Sequence, residues 1–213
     1  MVLVVFALPD EARLFQKRLV QKANHGRYLD GTISGVRVGI CFVGIRATAI
    51  ANLEEAIRQF EPLLIISSGF AGGTRALLEP GDFVVASNYT TARVNLPLGT
   101  IVDSVGPFHC VEQIYGPAEK RMLGVSGIAV DMESAAIAGV CDRHRLPLIT
   151  VRMISDGRDE AIPAIFTGGK VRHLRDAVAA VRFVLRMLRL TRLLADQLIR
   201  LIFLVRQTTT PAE

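Results

Sequence analysis

The sequence is poor in the residues that build metal centres and disulfide frameworks. It has three cysteines and four histidines among 213 residues. Cys41, Cys110 and Cys141 show no CxxC spacing and cannot all pair, which favours the reduced thiols of a cytoplasmic protein. The histidines are isolated from one another, without the spacing of metal ligands. We therefore expect no disulfide framework, no metal site and no cofactor.

Long hydrophobic runs are also missing. The apolar run Val2–Leu8 stops at Pro9 and follows no basic segment, so it is too short for a membrane span and unlike a secretory signal. The apolar C-terminal part is interrupted by Asp196 and Arg200, which argues against a transmembrane helix there. We expect a cytoplasmic protein, with peripheral contact at the inner membrane surface as an open alternative.

Basic charge is sparse in most of the chain, although the net charge is +5. Residues 1–160 contain 16 Lys and Arg against 17 Asp and Glu, whereas residues 161–213 contain 9 against 3. The basic excess therefore belongs to the C-terminal part alone. A nucleic-acid partner for the whole protein is not expected.

The sequence does contain an alternation of strand-like and helix-like segments. Val2–Leu8, Leu63–Ser67 and Leu148–Ile154 are apolar runs typical of buried strands, and Thr48–Phe60 and Asp131–His144 have helical patterns. Such βα alternation predicts one α/β domain of three layers, with helices on both faces of a mixed, largely parallel sheet. Residues 88–128, which are rich in Gly, Pro and polar residues, give no clear assignment of secondary structure.

The C-terminal part predicts a different kind of structure. From Val171 to Val205 the pattern is helical, with seven arginines set between apolar residues. We predict a pair of basic amphipathic helices within residues 168–206 and a disordered tail at residues 207–213. These helices are expected to pack on the domain or on a partner subunit, or to lie against anionic lipid headgroups.

Three acids stand where an apolar strand ends or a helix begins. They are Glu11, Glu133 and Asp156. In open α/β sheets ligands bind in the crevice outside the strand ends, so acids far apart in sequence can converge there on one ligand. Three carboxylates suit a reaction that needs a base, an anion that holds hydroxyl groups, and an acid. The pattern indicates an enzyme.

Four motifs occur in the order found in a known family. They are Ala7–Glu11, Ser68–Gly73 followed by Pro80–Asp82, Val130–Ala135 and Val151–Asp156. Through them, residues 1–165 resemble the nucleoside phosphorylase / methylthioadenosine–adenosylhomocysteine (MTA/SAH) nucleosidase superfamily. The Asp131–Ser134 motif, Pro117–Lys120 and the basic end are most similar to the hopanoid-associated nucleosidases, which cleave adenine from adenosylhopane. The resemblance implies a phosphorylase/hydrolase-like catalytic domain at residues 1–167, a small nucleoside substrate, and a homodimer.

By this resemblance, Glu11 is the base that positions and deprotonates an attacking water, and Arg152 helps to hold that water. An acid in the first turn of a helix also stabilises the helix N-terminus, and a buried arginine is often only charge-paired. For Arg152 both interpretations stay open.

The resemblance assigns the sugar and the purine to the other two acids. Glu133 is implied to accept hydrogen bonds from the ribose hydroxyls, with Met132 as an apolar wall. Asp156, oriented by Ser155, is implied to protonate purine N7. An adenine anion is a poor leaving group, so this proton eases rupture of the glycosidic bond.

The glycine-rich Gly69–Gly73, expected to be a turn, bears on the choice of nucleophile. Family phosphorylases bring hydroxyl and arginine side chains to phosphate near this segment, whereas this chain has Phe70, and no glycine-rich phosphate cradle follows its first strand. This favours water. Gly69, Phe70 and Ala71 are expected to line the substrate site, and Tyr115 is the candidate for stacking on the base, with Ile114 as the alternative.

The sequence thus predicts a purine nucleosidase, with adenosylhopane as the favoured substrate. The alternatives are an MTA/SAH or futalosine nucleosidase, a phosphate-dependent purine nucleoside phosphorylase, and a nucleoside-binding protein without catalysis.

Overall fold

The fold is built on a single mixed sheet. The structure is a computed structural model that describes residues 1–93, 96–167 and 174–209. The strands in these ranges are β1 (Val2–Phe6), β2 (Val20–Asn24), β3 (Leu29–Ile33), β4 (Val36–Phe42), β5 (Leu64–Ser67), β6 (Phe70–Gly73), β7 (Phe83–Ala86), β8 (Ser104–Gly106), β9 (Phe108–Cys110), β10 (Ala129–Asp131) and β11 (Leu148–Asp156). The α-helices are α1 (Pro9–Arg18), α2 (Ala51–Phe60), α3 (Pro117–Leu123), α4 (Ser134–His144) and α5 (Leu174–Thr209).

The strands follow the order β2-β3-β4-β1-β5-β11-β6-β10-β9, with β7 pairing β11 and β8 pairing β7. The central pairs β4-β1, β1-β5, β5-β11 and β11-β6 are parallel, whereas β2-β3, β3-β4, β6-β10 and β7-β11 are antiparallel. Strands β1 and β11 are buried along their whole length, as expected for strands covered on both faces.

Helices cover both faces of the sheet. On one face α1 and α5 pack against apolar side chains of β1 and β11, with Phe15 and Leu198 among the fully buried residues. On the other face α2 and α4 pack against β1 and β5 through residues such as Leu53 and Ile137. The predicted three-layer α/β fold with a mixed, largely parallel sheet is confirmed.

Two local predictions were wrong because tertiary pairing decides the structure of both segments. The expected turn at Gly69–Gly73 contains the strand β6, which hydrogen-bonds to β11 on one side and β10 on the other. The helix expected over Asp131–His144 begins only at Ser134, since Ala129–Asp131 forms β10.

The C-terminal part corrects a third prediction. One helix of 36 residues, α5, replaces the expected pair of helices, and it continues through Gln207 to Thr209, where a disordered tail was predicted. No Gly or Pro occurs between Leu174 and Thr209, so nothing in the sequence breaks the helix. The remaining parts of these predictions, residues 168–173 and 210–213, lie outside the described residues.

The two halves of α5 have different surroundings. The second half is buried in the core through Leu194, Leu198 and Ile202, and Asp196 pairs with Arg18 of α1 at 3.0 Å. The first half exposes much of its apolar surface. In the described part of the chain, no helix is both long and apolar enough to cross a membrane.

Candidate active site

A cavity of about 660 Å³ opens where β1 ends, between the glycine-rich strand β6 and the first half of α5. Eight of the ten residues predicted for the site line it: Glu11, Phe70, Ala71, Tyr115, Met132, Glu133, Ser155 and Asp156. Gly69 and Arg152 are not in the lining. Cavities of this size commonly hold small organic ligands.

Strand register explains why the acids meet. The second half of β11 pairs with β6 and sets Asp156 opposite Gly72. Strand β10 runs antiparallel to β6, so the chain after Asp131 returns to the beginning of β6. There a side chain at Gly69 would lie 3.2 Å from Glu11 Oε1, and one at Gly72 would lie 3.3 Å from Asp156 Oδ2. Gly69, just before β6, and Gly72 within it therefore leave room for the carboxylates of Glu11 and Asp156, and the two glycines lie about 10 Å apart along the chain. We call β6 together with the carboxylates of Glu11, Glu133 and Asp156 the floor of the cavity.

Glu11 lies in the first turn of α1, just beyond β1. Its Oε2 accepts hydrogen bonds from the backbone N–H groups of Ala7 (3.0 Å) and Leu8 (3.1 Å). Burial raises the pKa of Glu11 to about 7, although these hydrogen bonds and the charge of Arg152 oppose the rise. Glu11 can therefore take up and release a proton near neutral pH.

Glu133 lies at the N-terminus of α4, immediately after Met132. Its Oε1 accepts the backbone N–H of Arg46 at 2.8 Å, and burial raises its pKa. Arg46 has a left-handed backbone (φ 55°) that aims this N–H at the carboxylate. No pattern in the sequence indicates this contact, because any residue except proline can supply a backbone N–H.

Arg152 lies behind the cavity, almost fully buried. Its guanidinium pairs with Asp131 Oδ2 at 2.6 Å and donates to the hydroxyls of Ser67 and Ser134, both at 3.1 Å. These contacts match the charge-paired interpretation. The positive charge of Arg152 nevertheless opposes the rise in pKa that burial causes at Glu11 and at Glu133. A direct contact with the attacking water stays a prediction.

Asp156, the last residue of β11, is held through both carboxylate oxygens. Ser155 Oγ donates to Oδ1 at 2.5 Å, and Lys120 Nζ donates to Oδ2 at 2.6 Å. Lys120, on α3, was not predicted as a site residue. It belongs to the stretch before Asp131 that the sequence left unassigned, and only the completed fold brings it to Asp156.

One wall of the cavity is apolar and comes from α5. We call Phe183, Val184, Met187 and Leu188 the α5 wall, and all four line the cavity. Phe166 extends it, with its ring 5.3 Å from that of Phe183. The sequence assigned this helix to a separate C-terminal segment, because an apolar residue has the same pattern whether it faces a core, a cavity or a lipid.

No group of three or more His, Cys, Asp and Glu in the described ranges could hold a metal ion.

Comparison with known sequences identifies the class of protein. The profile of the phosphorylase superfamily matches residues 2–100 and 90–189. The chain belongs to the phosphorylase superfamily.

One similar sequence and two similar structures are nucleosidases, hydrolases or adenine-bound proteins. A 5′-methylthioadenosine/S-adenosylhomocysteine nucleosidase of Bacillus cereus (strain B4264) is 22% identical over 196 residues, covering 73% of this chain and 85% of the relative. An adenine-bound protein of Borrelia burgdorferi B31 has a similar fold, with a TM-score of 0.71 and 20% identity over 96% of this chain and all of that one. The futalosine hydrolase of Helicobacter pylori strain 26695 is also similar, with a TM-score of 0.65 and 18% identity over 92% of this chain and 94% of its own.

Proposed function

We propose that this chain hydrolyses the N-glycosidic bond of an adenosine-type nucleoside and releases adenine. The observation that carries the proposal is the meeting of Glu11, Glu133 and Asp156 at one cavity of nucleoside size. Each acid has different neighbours, so each can take a different part in one reaction.

Glu11 is the proposed general base. A base works best when its pKa is near the operating pH, and burial brings the pKa of Glu11 to about 7. Two backbone N–H groups fix Oε2, while Oε1 faces Gly69, which has no side chain to shield it. A water held at this carboxylate would lose its proton to Glu11 as it attacks the anomeric carbon.

Glu133 and Met132 are the proposed ribose contacts. A carboxylate has about four acceptor positions, so Glu133 can accept ribose hydroxyls in addition to the Arg46 N–H. Its negative charge would also stabilise the oxocarbenium character that the sugar develops as the bond to the base breaks.

Asp156 is the proposed acid for purine N7. It faces the floor strand β6 at the end away from Glu11, so a nucleoside lying along β6 would reach both carboxylates. Ser155 holds Oδ1 and thereby fixes the direction of the carboxyl group.

Water is the proposed nucleophile. Two cationic side chains are found among the described lining residues, Arg13 and Lys120, and Lys120 already pairs with Asp156. A phosphate dianion beside Glu11 would meet an ionisable carboxylate instead of a cationic cradle. In phosphate-free buffer the chain should release adenine from 5′-methylthioadenosine or 5′-octylthioadenosine. The released adenine is measured by chromatography. Strict phosphate dependence would favour the phosphorylase, and nucleoside binding without turnover would favour a binding protein.

A lipid-linked nucleoside, adenosylhopane, is the proposed natural substrate. The α5 wall gives the cavity an apolar side suited to a hydrocarbon 5′ substituent, and Phe70 adds to that surface. A nucleoside with a small 5′-thioalkyl group is the second candidate substrate, because a similar protein is an MTA/SAH nucleosidase. Relative kcat/KM values for 5′-methylthio- and 5′-octylthioadenosine separate the two, because the lipid assignment requires a clear preference for the longer chain.

We further propose that the first half of α5 meets an anionic membrane surface from the cytoplasmic side. Its exposed apolar stripe, Leu174, Val178, Val181, Leu185 and Leu188, has the spacing of one helix face. The exposed Arg175, Arg182 and Arg189 follow this stripe at seven-residue intervals, and no ion pair joins them to another described residue. Leu188 belongs both to the stripe and to the cavity wall, so a lipid-linked nucleoside could enter from the bilayer.

Vesicle sedimentation tests the membrane contact. The protein should sediment with phosphatidylglycerol vesicles and much less with phosphatidylcholine vesicles, and Val181→Glu with Leu185→Glu should abolish the difference. Equal recovery with both vesicles would contradict the proposal. The homodimer implied by the family resemblance stays a separate proposal, which light scattering of the vesicle-free protein can test.

A further inference from the structure

Lys120 is a fully buried lysine whose ammonium group has three acceptors. Its Nζ lies 2.6 Å from Asp156 Oδ2, from the carbonyl of Gly157 and from the carbonyl of Glu160. Its side chain is 1% exposed and that of Asp156 is 4% exposed. A buried lysine is rare unless it is paired, and these contacts use each of its three N–H donors once.

Asp156 in this arrangement accepts hydrogen bonds at both oxygens. Oδ1 receives the hydroxyl of Ser155, and Oδ2 receives the ammonium of Lys120. In its ion pair with Lys120, Asp156 is an ionised carboxylate, which has no proton of its own to give to a purine. Of the two donors to Asp156, the ammonium of Lys120 is the stronger acid, and it already points a proton at Oδ2 over 2.6 Å.

We propose that Lys120 and Asp156 act as a two-residue acid, in which Lys120 supplies the proton that Asp156 passes to the purine. This inference rests on the proposed nucleosidase function. An N–H bond of Lys120 breaks and an O–H bond of Asp156 forms; that O–H bond then breaks as N7–H forms. The C1′–N9 electron pair leaves with adenine, while the attacking water bonds to C1′ and gives a proton to Glu11. Solvent returns that proton to Lys120 between turnovers.

The surroundings of Lys120 suit its neutral form as well. After it loses one proton, the amine keeps two N–H groups for the carbonyls of Gly157 and Glu160, and its lone pair can accept the new O–H of Asp156. Every partner therefore keeps a hydrogen bond in both protonation states. Lys120 acts through Asp156, and is thus a positioning and proton-supplying residue.

A purely structural role predicts something different. Lys120 also ties α3 to the segment after β11, and the neighbouring Arg121 makes a similar tie, at 2.6 Å to Asp159. Arg121→Met removes that exposed tie without touching Asp156, so it is the matched control. If anchoring of this segment were the whole role of Lys120, both variants should affect all substrates alike.

The test compares two leaving groups in the full-length protein. Adenine in 5′-octylthioadenosine needs a proton to leave, whereas nitrophenolate in 4-nitrophenyl β-D-ribofuranoside does not. Lys120→Arg keeps a cation beside Asp156 but cannot release a proton at neutral pH. We expect Lys120→Arg to lower kcat for adenine release about 100-fold, in the range of general acid catalysis, and to change nitrophenolate release less than threefold. Arg121→Met should change neither rate more than threefold.

With Lys120→Arg, two results would overturn the proposal. One is adenine release by Lys120→Arg within threefold of the wild type; the other is an equal loss with both leaving groups. If Lys120→Arg is unstable, Lys120→Ala is assayed with added ethylamine, which should restore adenine release, whereas tetramethylammonium, which has no proton, should not. Equal effects of the two additives would also overturn it. Failure of the wild type itself on both substrates would instead contradict the nucleosidase function.

Discussion

The floor and the α5 wall of the cavity are built in opposite ways. The floor carries the polar groups: the carboxylates of Glu11, Glu133 and Asp156 are each held by hydrogen bonds from backbone or side-chain donors. The wall is apolar and comes from a helix that begins at Leu174, far along the chain. From this difference we infer separate roles: the floor cleaves the glycosidic bond, and the wall selects the group on the 5′ carbon.

The strongest test of this division is Glu11→Gln. Loss of the general base should lower kcat for every nucleoside about 1,000-fold, within the range for general acid–base catalysis. The substrate with the small 5′ group and the one with the long group should lose equally. Asp142→Asn, an exposed acid on α4, is the control and should stay near the wild-type rate. Unequal losses for the two substrates would break the division between floor and wall.

Asp156→Asn should have the next largest effect, about 100-fold on adenine release. An amide cannot pass a proton to N7 and would also leave Lys120 without its carboxylate partner. Melting temperature distinguishes the chemical effect from unfolding. An intact fold with undiminished adenine release would remove Asp156 from the mechanism.

The pH dependence of the reaction tests Glu11 as the base. Glu11 acts as a base only when ionised, and its pKa is raised to about 7. Therefore kcat/KM should rise with pH through about 7 and fall about tenfold for each unit below it. Glu11→Gln should remove this dependence from its residual rate. A profile that is flat between about pH 5 and pH 8 would contradict the proposed base.

Changes in the wall should have smaller and selective effects. Met187→Ser removes apolar surface from the cavity and should lower kcat/KM for 5′-octylthioadenosine about tenfold, as expected from the loss of one apolar contact. Adenosine, which has no hydrocarbon at the 5′ carbon, should be cleaved as before. Val181→Ser on the exposed stripe, outside the cavity lining, is the matched control. A loss on adenosine as large as that on the octyl compound would show that the wall supports the floor instead of selecting substrate.

The two parts also differ in how far the sequence predicts them. Glu11 and Asp156 could be placed in one crevice because each follows an apolar strand, and strand ends meet at a sheet edge. Lys120 could not, since the strands and helix around it are short and lack a clear period. The α5 wall was missed for another reason: its apolar spacing fits a core, a subunit contact or a membrane surface equally well, and only packing decides.

Glu11 is proposed to deliver water to the anomeric carbon of a nucleoside that lies on this floor. Isotope labelling tests it most directly. 5′-Octylthioadenosine is cleaved in ¹⁸O-labelled water that contains unlabelled phosphate. Mass spectrometry should find one ¹⁸O atom in the released sugar and none in adenine. In Glu11→Gln, the rate of label incorporation should fall about 1,000-fold. A pentose 1-phosphate carrying no label at C1 would contradict the account.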